Sequence, residues 1–309
     1  MNSVSGGMVT VVIANFNRCD DLRRAINSVR EQDYSDVEIV VVDNASRDGS
    51  RTMLADEFPG VCVIALNENW GMDGYSEGFR RAQGKFIFQM DNDSLMPDES
   101  VLSQVVKRFR EGPSELAAVA TRVEEYQVNG SSIDELRKKD ARQGPVNTKG
   151  YHAGGVAFRR ALLERVGYYN RDVFLYGSEL FLQMKLLAAG YLIHYYPEIL
   201  MLHRSSNIAR SSNGLYYEIR NRYWFMRHFS SRKQQWRFLP AMIIHDFVYS
   251  VYRKSPRVFI HALRDGLGRL PQSLNSPIRS MKPDFVAKLN EVGDRFAFSN
   301  AKNRLGIRS

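Results

Sequence analysis

The chain has 309 residues, 44% of them hydrophobic, which bounds it to one large or two smaller domains with ample core. Two cysteines, Cys19 and Cys62, exclude a disulfide scaffold and fit a reducing compartment, Met1 to Met8 lacks the basic-then-apolar pattern of a signal, and no run of about 18 apolar residues offers a membrane-spanning helix. The net charge of +9 is unevenly spread: residues 204–309 hold 20 Lys+Arg against 6 Asp+Glu, a net of +14 that leaves −5 for residues 1–203. Such a split predicts two functional regions, with a polyanion or an anionic membrane surface as the partner of the second.

Val9 to Ala14 is a β-branched run broken at Asn15-Phe-Asn-Arg18, and Asp20 or Asp21 is placed to cap a helix carrying Leu22, Ala25, Ile26 and Val29. Val37 to Val42 is a second, almost wholly apolar strand, as a sheet covered on both faces requires. It runs into Asp43-Asn-Ala-Ser-Arg-Asp-Gly-Ser50, and a helix over about 51–58 follows. Val61 to Leu66 predicts a third strand, Asn67-Glu-Asn-Trp-Gly71 a turn, and 73–82 a helix. Phe86 to Met90 is a short buried strand that delivers Asp91, Asn92 and Asp93 to its carboxyl end. A helix from Pro97-Asp98 to about Arg110 and a strand over 116–120 come next. Strands alternating with helices predict an α/β fold with a parallel sheet.

Residues 122–150 are polar and poorly periodic, with turn signals at Asn129-Gly130 and Gly144-Pro145, and predict a long functional loop. Gly154 to Phe158 resumes the sheet, helices follow near 160–166 and 179–189, and two short apolar runs around Pro197 end at His203. Segments near 214–229, 232–252 and 256–270 read as helices rich in aromatics and Arg. In the middle one Leu239, Met242, Ile243, Phe247 and Val251 lie near helical spacing, as for a helix in a membrane interface or one packed on the catalytic domain.

In open α/β sheets, ligands bind outside the carboxyl ends of the strands. Asp91 and Asp93 stand at such an end, two residues apart, where they suit a hard divalent cation carrying diphosphate oxygens or, more blandly, a solvated turn. Asp43 can accept hydrogen bonds from a nucleobase or ribose, or cap the next helix. Glu179 opens a helix followed by apolar residues, as a general base or as a partner of the helix dipole. His203 is a metal ligand or a structural histidine.

Val11-Val-Ile-Ala-Asn-Phe-Asn-Arg18, Val40-Val-Val-Asp-Asn-Ala-Ser-Arg-Asp-Gly-Ser50, Asn69-Trp-Gly71 and Met90-Asp-Asn-Asp93, in this order and spacing, resemble the family 2 glycosyltransferases of GT-A fold. Gly154-Gly155, Tyr176-Gly-Ser-Glu-Leu-Phe-Leu182, Ala188-Ala-Gly-Tyr191, His203 and Arg220-Asn221 extend the likeness over about residues 8–222, and it is strongest to the rhamnosyltransferase and galactofuranosyltransferase branch. The resemblance implies a GT-A transferase domain over 8–212, with a Rossmann-like, mostly parallel sheet. A basic helical region over 213–309 would then serve membrane association or dimerisation. It implies that Ala14, Asn15, Asn17, Asp43, Asn69, Gly71, Asp91, Asn92, Gly154 and Gly155 line the nucleotide-sugar site. Asp93, Asp91 and His203 would hold Mg²⁺ or Mn²⁺, and Glu179 would be the base of an inverting transfer. Ser178 stands where the family usually has Glu, and Glu77 where many members have Asn.

The implied donor is a UDP- or dTDP-sugar and the acceptor a saccharide or lipid-linked hydroxyl in surface polysaccharide assembly. The implied location is cytoplasmic, peripheral on the inner face of the cell membrane. Two other readings compete. A sugar-nucleotide pyrophosphorylase would show a Gly-rich, Arg/Lys-bearing loop after the first strand, where this chain has Asn15-Phe-Asn-Arg18. A non-catalytic domain with a nucleic-acid-binding tail would suit the aromatic and Arg mixture of 216–237 but has no use for Asp91, Asp93 and Glu179.

Overall fold

In the computed structural model, β1 (Val9–Asn15), β2 (Val37–Asp43), β3 (Cys62–Ala65) and β4 (Phe86–Asp91) are parallel, connected through α1 (Cys19–Arg30), α2 (Ser50–Glu57) and α3 (Gly74–Arg81). The structure describes residues 6–126, 146–147, 151–204 and 212–274, so the turn signals at 129–130 and 144–145 lie outside the described residues. Alternate residues of β1 part to the two faces of the sheet. Val9, Val11 and Ile13 join Leu22 and Ile26 of α1 and Leu54 of α2, whereas Val12 joins Tyr75 and Phe79 of α3. Both faces of β1 are covered, which is why that strand is apolar but for Thr10 and the terminal Asn15, whereas β3 leaves Val63 and Ala65 exposed.

The rest of the sheet comes from β5 (Ser94–Leu95), β6 (Leu116–Tyr126), β7 (Val146–Asn147), β8 (Val156–Arg159) and β9 (Leu192–Arg204). Helices α4 (Val101–Glu111), α5 (Arg160–Val166) and α6 (Ser178–Ala188) intervene. Among the described residues the order is β3-β2-β1-β4-β8-β6-β9-β5, with β7 also on β9. The class is α/β, as expected. Beyond β4 the pairing is mixed: β8 is antiparallel to β4 and β6, β9 is parallel to β6, and β5 and β7 are antiparallel to β9. Strand direction here is set by the path of the chain, to which four-residue or shorter strands carry no local signal.

Three local expectations change. Strand β6 continues to Tyr126, through residues whose polarity predicted a loop from 122, because β9 pairs with it along that length. Pro197 does not divide β9: the register jumps from Thr121↔Tyr196 to Arg122↔Leu200, an irregularity that accommodates the missing N–H. Neither Asp20 nor Asp21 caps α1. The N–H of Cys19 donates to Asp48 Oδ2 at 2.8 Å, so the cap comes from the turn after β2, while Asp21 pairs with Arg18 and Arg204.

Contacts divide the chain into two units, Met1–Phe174 with Ser178–Asn207, and Leu175–Gly177 with Ile208–Ser309. In the second, α7 (Ser212–Phe229), α8 (Arg232–Tyr252) and α9 (Pro256–Leu267) enclose Leu215, Ile219, Tyr223, Met242, Phe259 and Ala262. The face expected on α8 is split. Leu239, Met242 and Ile243 pack inward, while Phe247 and Val251 are about half exposed. The inward stripe is 239, 242, 243, 246 and 250, and 247 and 251 fall beside it on the wheel.

Candidate active site

The registers Asn15↔Asp43 and Ala14↔Asp91 bring the carboxyl ends of β1, β2 and β4 level. Strand order reverses at β1, with β2 on one side and β4 on the other, which opens a crevice at those ends. Asn15, wholly buried, ties them together: its amide donates to Asp43 Oδ1 at 3.3 Å and Ser46 Oγ at 3.2 Å, and its oxygen accepts from Asn92 Nδ2 at 2.8 Å. Asn92 therefore turns inward and braces the strand ends. Asp43 is enclosed as well, with Arg51 Nε 2.6 Å from Oδ2 and the Ser46 N–H at 3.1 Å. Ala14 is half-buried, and Asn17 is exposed with φ 52°, its side-chain oxygen accepting from the Arg47 N–H at 2.7 Å.

Asp93 directly precedes β5, and Ser94 pairs with His203 across the antiparallel β5–β9 ladder. The Arg204 N–H donates to the Asp93 carbonyl at 2.8 Å. This pairing carries His203 to the acids: its Nε2 lies 3.2 Å from Asp93 Oδ1 and 3.7 Å from Asp91 Oδ2. One ligand atom from each of Asp91, Asp93 and His203 falls within 4.8 Å of the others. Two hard carboxylate oxygens and an imidazole nitrogen, converging at a strand end, fit Mg²⁺ or Mn²⁺. Tyr75 orients Asp91 by donating to Oδ1 at 2.8 Å.

The electrostatics follow from this crowding. Burial raises the Asp91 carboxyl and the charge of Asp93 raises it further. The hydrogen bond to Asp93 holds the His203 imidazolium above the ordinary histidine value. Glu179, second residue of α6, keeps part of its surface open, yet burial of its carboxyl raises its pKa and the charge of Asp91 adds to the rise. Asp91 and Glu179 thus lie within electrostatic reach of each other. Ser178 beside it is buried, with no hydrogen-bond partner for Oγ among the described residues.

Asn69 spends its side chain on its own turn, accepting from the Gly71 N–H at 2.8 Å. Gly71 has φ +59°, and a Cβ there would stand 2.3 Å from the Phe174 carbonyl oxygen, so only glycine fits. The Met72 N–H donates to that same oxygen at 2.7 Å. Glu77 pairs with Arg80 on α3. Gly154 and Gly155 are buried; the Thr121 hydroxyl donates to the Gly155 carbonyl at 2.7 Å, and the Gly154 N–H to His152 Nδ1 at 3.0 Å.

Besides Tyr75, two residues at this site escaped the sequence reading. Arg18 Nη1 lies 3.1 Å from Asp93 Oδ2, and the His152 ring centre is 5.3 Å from that of His203. Arg18 was visible as the end of the break after β1. His152 had no signal beyond its place before Gly154-Gly155.

Residues 10–167, just over half of the chain, match glycosyl transferase family 2. The chain belongs to that family. It is 30% identical over 176 residues to an uncharacterized glycosyltransferase of Nostoc sp., covering 51% of this chain and 52% of that protein. It is 31% identical over 110 residues to the GalNAc(5)-diNAcBac-PP-undecaprenol beta-1,3-glucosyltransferase of Campylobacter jejuni, covering 34% and 35%. This family 2 chain thus spans about half, or less, of the length of those curated relatives. Among solved structures it is similar to the mannosyltransferase PcManGT of Pyrobaculum calidifontis in complex with GDP-Man and Mn²⁺, with a TM-score of 0.56 and 19% identity, over 96% of this chain and 82% of that one. The shared fold is GT-A.

Proposed function

We propose that this family 2 chain is an inverting glycosyltransferase that moves a hexosyl or deoxyhexosyl group from a UDP- or dTDP-sugar to a hydroxyl of a saccharide or lipid-linked acceptor in surface polysaccharide assembly. The convergence of Asp91, Asp93 and His203 at the crevice carries this reading. A place beside the inner face of the cell membrane is part of the same reading, supported by the undecaprenol-linked acceptor in the name of the Campylobacter relative.

The nucleoside would lie over the ends of β1 and β2, against Ala14 and Asn17, with the enclosed Asn15 and Asp43 bracing those ends beneath it and the 69–71 turn beside it. Asp93, Asp91 and His203 would hold Mg²⁺ or Mn²⁺, which when bound neutralises charge on the departing diphosphate. Glu179 takes the proton from the acceptor hydroxyl as that oxygen bonds to the anomeric carbon. The carbon–oxygen bond to the diphosphate breaks on the opposite face, and the anomeric configuration inverts. Burial suits Glu179 to this role because a base with a raised pKa accepts a proton more readily near neutrality.

The test is a panel of UDP-, dTDP- and GDP-sugars with Mn²⁺ and saccharide acceptors, with diphosphate release assayed and the product anomer read by NMR. We expect turnover of a UDP- or dTDP-sugar with inversion. Retention of configuration, or formation of a nucleoside triphosphate and a sugar 1-phosphate when pyrophosphate is supplied in place of the acceptor, overturns the reading.

A further inference from the structure

Helix α8 buries two polar residues beside its inward apolar stripe and leaves a second set of apolar residues on its outer side. Asp246 is wholly buried, held by Arg222 Nη1 at 2.5 Å and His245 Nδ1 at 3.0 Å, and Ser250 is wholly buried beside it. On the opposite side Trp236 is 82% exposed, Ile244 66%, Phe247 50%, Val248 49%, Val251 52% and Tyr252 70%. At 3.6 residues per turn these, with Pro240 and Ala241, form one continuous strip about 24 Å long. Ile260 on α9 adds a further exposed apolar side chain. Single exposed apolar residues are ordinary, but a contiguous strip marks an interaction surface.

Charge decides between partners. Arg232, Lys233 and Arg237 stand at the start of α8, and Arg253, Lys254 and Arg257 follow its end, all exposed. The acids described in this unit are spent internally: Glu218 and Asp246 on Arg222, and Asp265 on Arg264. A second copy of the chain would bring like charge against like. An anionic bilayer instead supplies an apolar interior for the strip and negative headgroups for its basic ends, with Trp236 and Tyr252 at the polar boundary. No described helix is long and apolar enough to cross a membrane, which fits a helix lying in the interface.

We propose that α8 docks flat in the headgroup layer of an anionic bilayer through the Trp236–Tyr252 strip, anchored by the basic clusters at its two ends. This deepens the proposed function by giving the enzyme a route to acceptors at the membrane, and rests on that reading for its purpose alone.

The test uses the full chain with phosphatidylcholine vesicles made with and without phosphatidylglycerol. We expect sedimentation with the anionic vesicles, weakened by salt. Each basic residue near such a surface contributes about fivefold, so Lys233→Gln with Lys254→Gln lowers vesicle affinity about twenty-five-fold. Ile244→Ser with Val251→Ser lowers it at least tenfold, with unchanged Tm and unchanged diphosphate release from the donor in bulk solution. A blue shift of fluorescence on vesicle binding is lost in Trp236→Phe. Equal vesicle binding by wild type and both double variants overturns the proposal. So does a chain that ignores vesicles but forms a dimer that the Ile244→Ser/Val251→Ser variant breaks. Vesicle binding without any donor turnover leaves the docking standing and removes the transferase reading.

Discussion

Arg18 holds Asp93 by one oxygen, with Nη1 3.1 Å from Oδ2, while His203 approaches the other oxygen at 3.2 Å. A carboxylate proposed as a metal ligand is thus shared with a fixed cation, and a divalent ion must compete with that cation for Asp93. Arg18→Met should tighten Mn²⁺ binding roughly three- to tenfold, the equivalent of about 1 kcal/mol, while lowering turnover. Calorimetry of Mn²⁺ binding checks it, and unchanged or weaker affinity would remove the competition.

Removing the acid itself acts in the opposite direction. Asp93→Asn should lower turnover by about 10³-fold or more, because a charged ligand at the diphosphate is lost. Chelation of the wild type by EDTA should have the same effect and be reversed by Mn²⁺. Because its bond to Asp93 raises the His203 pKa, the imidazolium must lose its proton to become a ligand. Mn²⁺ affinity should therefore fall as pH drops through that raised value. Full activity in chelator would sink the site.

Glu179→Gln should keep nucleotide binding and lose about 10²–10⁴-fold in kcat. Since burial raises the wild-type carboxyl, the acid limb of kcat/KM should lie above the ordinary glutamate range, with activity falling as pH drops through it. Stability runs the other way. A raised folded-state pKa contributes stability that is present below the unfolded value and lost as pH rises through the folded one. In chelator, Glu179→Gln should raise Tm at pH 8, and the difference should vanish well below the ordinary carboxyl range. A variant with the wild-type rate, or with no Tm gain at pH 8, contradicts this account.

Gly71→Ala places a Cβ 2.3 Å from the Phe174 carbonyl oxygen at a left-handed φ. The expected cost is about 1–3 kcal/mol, or roughly 2–4 °C of Tm for each kcal/mol, with a raised KM for the donor as the 69–71 turn shifts. Thermal denaturation and donor titration read both, and an unchanged Tm would refute the steric argument.

The order of the elements was legible because each reports a local quantity. Phe86 to Met90 is apolar apart from Gln89, α1 repeats its apolar residues at helical spacing, and the turns carry their Gly and Asn. The family motifs marked Asp43, Asp91 and Asp93 because those acids interrupt apolar strands at their ends. The direction of β8, the continuation of β6 past 121 and the passage of β9 through Pro197 were not legible, because a neighbouring strand decides them.

Side-chain direction was the main thing that only tertiary structure settled. On α8 nearly every turn offers an apolar residue to each side, so the sequence could not say that Met242 faces α7 and Ile244 faces outward. The meeting of Asp93 with His203 needs a two-residue strand, Ser94–Leu95, laid against a partner more than a hundred positions away. Sequence determines which groups the chain carries and the strand ends that present them. The distances among those groups, and the cations already drawn to them, arise from long-range pairing that no local pattern encodes.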